Sequence, residues 1–300
     1  MAKKRDVIAA VLIAIALVVA VVFFAVILIG VLVPGEGIDF AGLGGTVGVV
    51  EIMGVIREDS GRPIVKQLDK WADNQSIKAV VLHINSGGGE VAISQEMYDA
   101  VTRLKAEKPV VVAMAAVAAS GAFYIACAAD RVVANPGSLT GSIGVILQFH
   151  TFETLMSKVG IGTETVKSGE LKDVGTYSRE MTEKERLMLH SVIMDSYEQF
   201  VEVVAEGRGK EKDEVYRLAD GSVFTGLQAY NLGLVDTLGG LHEAVEIAAD
   251  LAGLEGKPKV VRPYKRDKIG IFDLLPGLLG EFGQTVDKAV SGPRLLYLYQ

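Results

Sequence analysis

Hydrophobic positions along this chain fall into two regimes. From Val7 to Val33 no charged or polar side chain interrupts the run, and Pro34 ends it. Beyond the glycine-rich stretch after Pro34, apolar runs are short and alternate with amphipathic ones. Val47–Ile52 reads as a strand, Ile64–Trp71 as a helix, and Ala79–Ile84 as a buried strand. A glycine turn then leads to a helix over about 90–106. Pro109 marks the entry to the strand Val110–Met114, after which a helix opens at Ser120. Strands alternating with helices predict an α/β fold with a parallel sheet. Thr182 and Glu185 form a capping-box pattern for a long helix whose apolar face carries Leu189, Ile193, Phe200 and Val204. Asp220-Gly221 is a turn, and helices come next near 225–231 and 241–252.

The first regime locates the protein. Lys3, Lys4 and Arg5 precede 27 apolar or small residues, 7–33, about 40 Å long as a helix. A cleaved leader would have a shorter apolar region and a small-residue cleavage site, and Ala25 with Ile27 does not supply one. A permanent transmembrane signal anchor is the expectation. Residues 1–6 then stay in the cytoplasm and everything after Pro34 lies on the extracytoplasmic side of the cell membrane. Residues 34–46 form a flexible tether, 47–255 a single domain, and 256–300 a C-terminal extension. The apolar stretch Gly292–Tyr299 would be costly to leave in water, so it is expected to dock on its own or a neighbouring subunit. A net charge of −7 disfavours nucleic acid as a partner. The single cysteine, Cys127, excludes an intrachain disulfide framework and reads as a buried structural thiol.

The chemistry centres on Ser120. A hydroxyl at a strand-to-helix junction faces free N–H groups and the positive end of a helix dipole, which suits a nucleophile beside an oxyanion site. Serine is also a favoured helix cap, and caps are far commoner than nucleophiles. Asn85-Ser86-Gly87-Gly88-Gly89-Glu90 is a second turn able to present N–H groups to an anion. It fits the dinucleotide fingerprint only loosely, and behind a membrane anchor it would face away from cytosolic NAD. For a base, none of His83, His150, His190 and His242 stands in a local catalytic signature. Lys167 and Lys172 lie in a polar stretch leaving an expected strand, and either could serve as a neutral amine in apolar surroundings. Asp173 would oppose that if it faced Lys172.

Taken together, the motifs resemble those of the signal peptide peptidase A family. They are Ile77–Gly89, the Ala-Ala-Ser-Gly around Ser120, Ser138–Val145, Lys167–Lys172 and Ala219–Ala229. The resemblance covers about Val47 to Leu254, in one copy and in the expected order. It implies the spiral of β-β-α units shared by caseinolytic protease and crotonase, assembled into rings, and a serine endopeptidase without metal or cofactor. Carried over by motif, Ser120 is the nucleophile, Lys172 the general base and Ser142 the residue orienting the amine. The N–H groups of Gly121 and of Gly88 and Gly89 form the oxyanion hole. Gly87 stands where the family usually has proline, which loosens that loop without removing a donor. The implied substrates are released signal peptides and similar apolar peptides. Two alternatives remain: a related Ser–Lys protease cutting membrane scaffold proteins, and a catalytically silent membrane assembly module.

Overall fold

The computed structural model describes residues 46–263, together with Leu17 and the backbone of Leu296–Leu298. The chain divides into two units, Met1–Phe40 and Ala41–Gln300, and the sheet with its covering helices belongs to the second. The expected anchor at 7–33 lies outside the described residues apart from Leu17. Among the described residues no helix is long and apolar enough to cross a membrane.

The order of elements begins β1 (Thr46–Met53), α1 (Glu58–Asp73), β2 (Ile77–Ser86), β3 (Gly88–Glu90), α2 (Val91–Glu107), β4 (Val110–Ala119) and α3 (Gly121–Ala126). It continues with β5 (Arg131–Ala134), β6 (Leu139–Gly141), α4 (Glu153–Lys158), a 3-10 turn (Glu170–Asp173), α5 (Glu183–Arg208) and α6 (Lys212–Tyr216). The described part closes with β7 (Val223–Thr225), α7 (Gly226–Asn231), β8 (Thr237–Leu238), α8 (Leu241–Leu251), β9 (Lys259–Val261) and β10 (Leu296–Leu298). Eight strands form one sheet in the order β7-β6-β4-β2-β1-β9, with β5 joining β4 to β8. All its pairings are parallel except β6 with β7. Strand β9 lies beyond the expected domain edge at 255 and completes the sheet against β1.

Runs such as Val47–Val50 and Val110–Met114 are apolar on both faces because both faces of the sheet are covered. On one side Val50, Ile52, Leu82 and Val112 pack with Leu68, Trp71, Met97, Phe123 and Phe200 from the helices. On the other, Val47, Val49, Ala79, Val81 and Val111 meet Ala244, Val245 and Ala248 of α8. Helix α1 starts earlier than the pattern suggests, ahead of Gly61 and Pro63, which read as breakers in sequence. Ser60 accepts the Arg57 N–H at 3.0 Å and closes the first turn. Gly61 is there for close approach: a Cβ would sit 2.4 Å from Cγ1 of Ile93 on α2.

A long excursion between β6 and α5 departs from this order. The strand expected just before Lys167 does not form, and residues 161–168 carry no regular element. Val166 is 96% exposed, so a strand there would have no face to bury. Leu155, Val159 and Ile161 on the same arm are also open to solvent.

Candidate active site

Strand β4 runs straight into the helix after it, with a bulge over Ala115–Val117 where its register against β2 slips between Ile84 and Ser86. Asn85 Oδ1 accepts the Val117 N–H at 3.2 Å, and Thr140 Oγ1 donates to the Ala118 carbonyl at 2.7 Å. Ser138 Oγ donates to the Ala115 carbonyl. These bonds satisfy the irregular strand and fix where it ends.

It ends at Ser120, with φ 55° and ψ −121°. A non-glycine residue held there carries strain on the order of 1–3 kcal/mol. The residue is 1% exposed, and its Oγ has no hydrogen-bond partner among the described residues. It does not cap α3, because no side-chain cap bond forms. The cap alternative therefore fails: the hydroxyl is buried, unspent and aimed by a strained backbone. Gly121 is the first residue of α3, so its N–H has no acceptor within the helix.

Register brings Ser142 beside this point. Ala119 pairs with Gly141, and the Ser120 N–H donates to the Gly141 carbonyl at 2.8 Å. Ser142 has φ 51°, and its N–H donates to the Ser222 carbonyl at 2.7 Å. Asp220 Oδ1 in turn accepts the Ser222 N–H at 2.9 Å, so the Ala-Asp-Gly turn holds Ser142 in place. A cavity of about 530 Å³ opens beside Ser142, walled by Val145, Ile146, Ile193, Met194 and Tyr197.

Strand β3 packs against α3 and supplies the glycine turn. The Gly88 carbonyl accepts from Ile56 and the Glu90 N–H donates to the Ile56 carbonyl, both at 2.9 Å. In an extended strand the polar groups of alternate residues face opposite sides, so those of Gly89 face away from Ile56. On that open edge the backbone of β10 runs antiparallel, with Tyr297 opposite Gly89 and Leu298 opposite Gly88. The edge thus takes an extended peptide. Gly89 has to be glycine, since a Cβ would lie 1.9 Å from the Ile56 carbonyl oxygen. The Gly88 N–H is taken by Ser86 Oγ at 3.1 Å, and the polar groups of Gly89 face the β10 backbone.

Among the described residues no base reaches Ser120. His83 is half-buried on β2, where burial lowers its pKa, and it pairs in register with Glu51 and Ala113. His150 and His190 are exposed, and His242 lies against Glu246. Lys172 is exposed on the 3-10 turn and makes no side-chain hydrogen bond or ion pair among the described residues. The sheet brings Ser120, Ser142 and Gly121 together, with β3 packed on α3, and leaves Lys172 on the arm. Cys127 is buried at the end of α3, and desolvation pushes its thiol up to about 12, which fits an inert structural residue.

Residues 102–255 match the model of peptidase family S49, and residues 46–140 match that of Clp protease. The chain belongs to peptidase family S49. It is 41% identical over 206 residues to a putative protease of Synechocystis sp., covering 69% of this chain and 74% of that protein. A putative protease of Methanocaldococcus jannaschii is 34% identical over 236 residues, or 79% of this chain and 76% of the relative. A putative signal peptide peptidase SppA of Enterococcus faecium is 36% identical over 181 residues, 60% of this chain and 53% of the relative. The S49 span contains Ser120, Ser142 and Lys172, and the Clp protease span contains β3. The parallel-rich α/β sheet fits the Clp-like fold, and the family makes this a serine-type protease.

Sequence reading misses the supporting residues of this S49 site. Asn85, Ser138 and Thr140 lie inside the motifs that carry the resemblance, but their bonds to the β4 bulge depend on register. Arg179 and Glu185 escape it as well: only the capping role of Glu185 is legible, and their pairing across six residues leaves no periodic trace.

Proposed function

We propose that this protein is a Ser–Lys endopeptidase, anchored by residues 7–33, whose catalytic domain works at the outer face of the cell membrane on released signal peptides and similar apolar peptides. The observation that carries the reading is the Ser120 hydroxyl, buried without a partner on a strained backbone next to a strand edge that takes an extended segment. A substrate would take the place of β10 on β3, its main chain held by backbone bonds that include the Gly89 N–H. The cavity beside Ser142, whose wall combines Val145, Ile146, Ile193 and Met194 with Asp220, suits an apolar side chain against its aliphatic part, and the name of the Enterococcus relative points the same way.

In the proposed reaction Ser120 Oγ attacks the scissile carbonyl while the neutral Lys172 amine takes its proton. The N–H groups of Gly121 and Gly89 receive the developing oxyanion, with Gly88 shaping the turn. The resulting ammonium gives the proton to the leaving amine. Water, deprotonated by the same lysine, then attacks the acyl ester, and the ammonium returns its proton to Ser120 Oγ as the acid product leaves. Ser142 orients the amine. Because Lys172 stands on an arm bearing exposed Leu155, Val159, Ile161 and Val166, we place it against Ser120 of a second copy in a homo-oligomeric ring.

A fluorophosphonate probe tests the reading. It is expected to label one serine, mapped to Ser120, and to leave folded Ser120→Ala unlabelled. A folded protein that takes no label would support the silent assembly module instead, and labelling that survives Ser120→Ala would assign the nucleophile to another residue.

A further inference from the structure

The arm that carries Lys172 has little apolar burial to hold it, yet its turn is fixed. Lys167 Nζ donates to Asp173 Oδ1 at 2.6 Å and to the Glu170 carbonyl at 3.0 Å. Arg179 donates to the same carboxylate, from Nη2 to Oδ1 at 2.9 Å and from Nε to Oδ2 at 3.3 Å. Its Nη1 donates to Glu185 Oε2 at 2.9 Å. Glu185 is 1% exposed and accepts the Thr182 N–H at 2.8 Å, so the chain of bonds ends in the capping box of α5. The Lys172 turn is thereby tied to the start of the longest described helix.

The same bonds settle which way Asp173 faces. Its carboxylate is next in sequence to Lys172, but both oxygens are turned to Lys167 and Arg179. Other carboxylates near the turn are also engaged: Glu170 by Lys184, Glu185 by Arg179, and Glu153 by the Glu180 N–H. Lys184 and Arg186 are the further cations at the start of α5, and Arg186 faces Glu183.

We propose that Lys167 and Arg179 are positioning residues for Lys172, clamping the turn that carries it and drawing the Asp173 carboxylate away from its amine. This rests on the reading of Lys172 as the base. Without Lys167 the carboxylate keeps Arg179 as its one counterion, and its less neutralised charge beside an amine favours the protonated amine, which cannot act as a base until the pH is higher.

The experiment is the pH dependence of kcat/KM for peptide cleavage in the full chain, for wild type, Lys167→Met, Asp173→Asn, the double variant and Lys172→Ala, each checked for fold by circular dichroism. Lys167→Met is expected to keep most of its maximal rate while its rising limb moves about one unit to higher pH. Asp173→Asn is expected to lose about tenfold in kcat/KM through misplacement, without that upward shift. The double variant should return the limb to the wild-type position, because no carboxylate charge remains beside the amine. A limb that stays in place in Lys167→Met while Lys172→Ala is inactive would overturn the positioning role and leave the base assignment standing. Full activity in Lys172→Ala would overturn both.

Discussion

Around Ser120 the sheet removes nearly every degree of freedom. The strand is parallel-paired on both sides, its bulge is pinned by Asn85, Ser138 and Thr140, and the serine is buried at a backbone angle of φ 55°. Lys172 stands off the sheet. The arm from Gly144 to Met181 exposes Phe152, Leu155, Val159, Ile161 and Val166 and is held by charged groups: Lys167, Asp173, Arg179 and Glu185. The proposed nucleophile is set by packing, where displacement would open voids, and the proposed base by ion pairs on a projecting arm. A site divided in this way can stay incomplete in one chain and become complete when a second copy covers the arm.

The sharpest way to break the contrast is to remove each half. Ser120→Ala and Lys172→Ala should each lower peptide cleavage by about 10⁴-fold or more while the chain stays folded, because nucleophile and base act as one unit. Ser142→Gly should cost less, on the order of 10–100-fold, since the group it removes is proposed only to orient the amine. Glycine suits the positive φ at that position, so steady-state kinetics on this variant reads the missing hydroxyl rather than backbone strain.

Stability should divide along the same line. Phe200, fully buried against Tyr124, should lose about 3–5 kcal/mol as Phe200→Ala. Val166→Ala on the arm should stay within about 0.5 kcal/mol in the isolated chain. Denaturant unfolding measures both, and a large loss at Val166 would show that the arm is packed after all.

A smaller effect concerns acid. The Arg179 guanidinium, helped by the Thr182 N–H, holds the Glu185 carboxyl down at about 2, below its ordinary value of 4.5. Lys167 and then Arg179 lower Asp173 in the same way. A depressed carboxylate contributes stability that is fully present above its unfolded pKa and is lost as pH falls toward the folded value. Lowering the pH from about 5 to about 2 should therefore loosen the arm, and Glu185→Gln should show less of that loss. Proteolytic nicking of 144–182, tracked against pH in both chains, checks it; equal acid sensitivity would show that Glu185 does not hold the arm.

How far the sequence reveals each region depends on the same physics. The sheet is legible because burial on two faces leaves uninterrupted apolar runs, and the capping box at Thr182 because its partners are three residues apart. The junction at Ser120 is legible as a site, but choosing between cap and nucleophile takes the observed absence of a cap bond. A strand is expected just before Lys167 because nothing in the sequence there states that no face is buried. The Asp173 network stays hidden because ion pairs across a loop have no period.

Mixing the two inactive chains tests the division of the site most directly. Ser120→Ala and Lys172→Ala subunits, carrying different labels, are combined under conditions that allow exchange, and peptide cleavage is measured over time. Shared sites predict that part of the wild-type activity returns, because some interfaces pair an intact Ser120 with an intact Lys172. Confirmed exchange with no return of activity would place the base and the nucleophile within one chain and contradict the divided site.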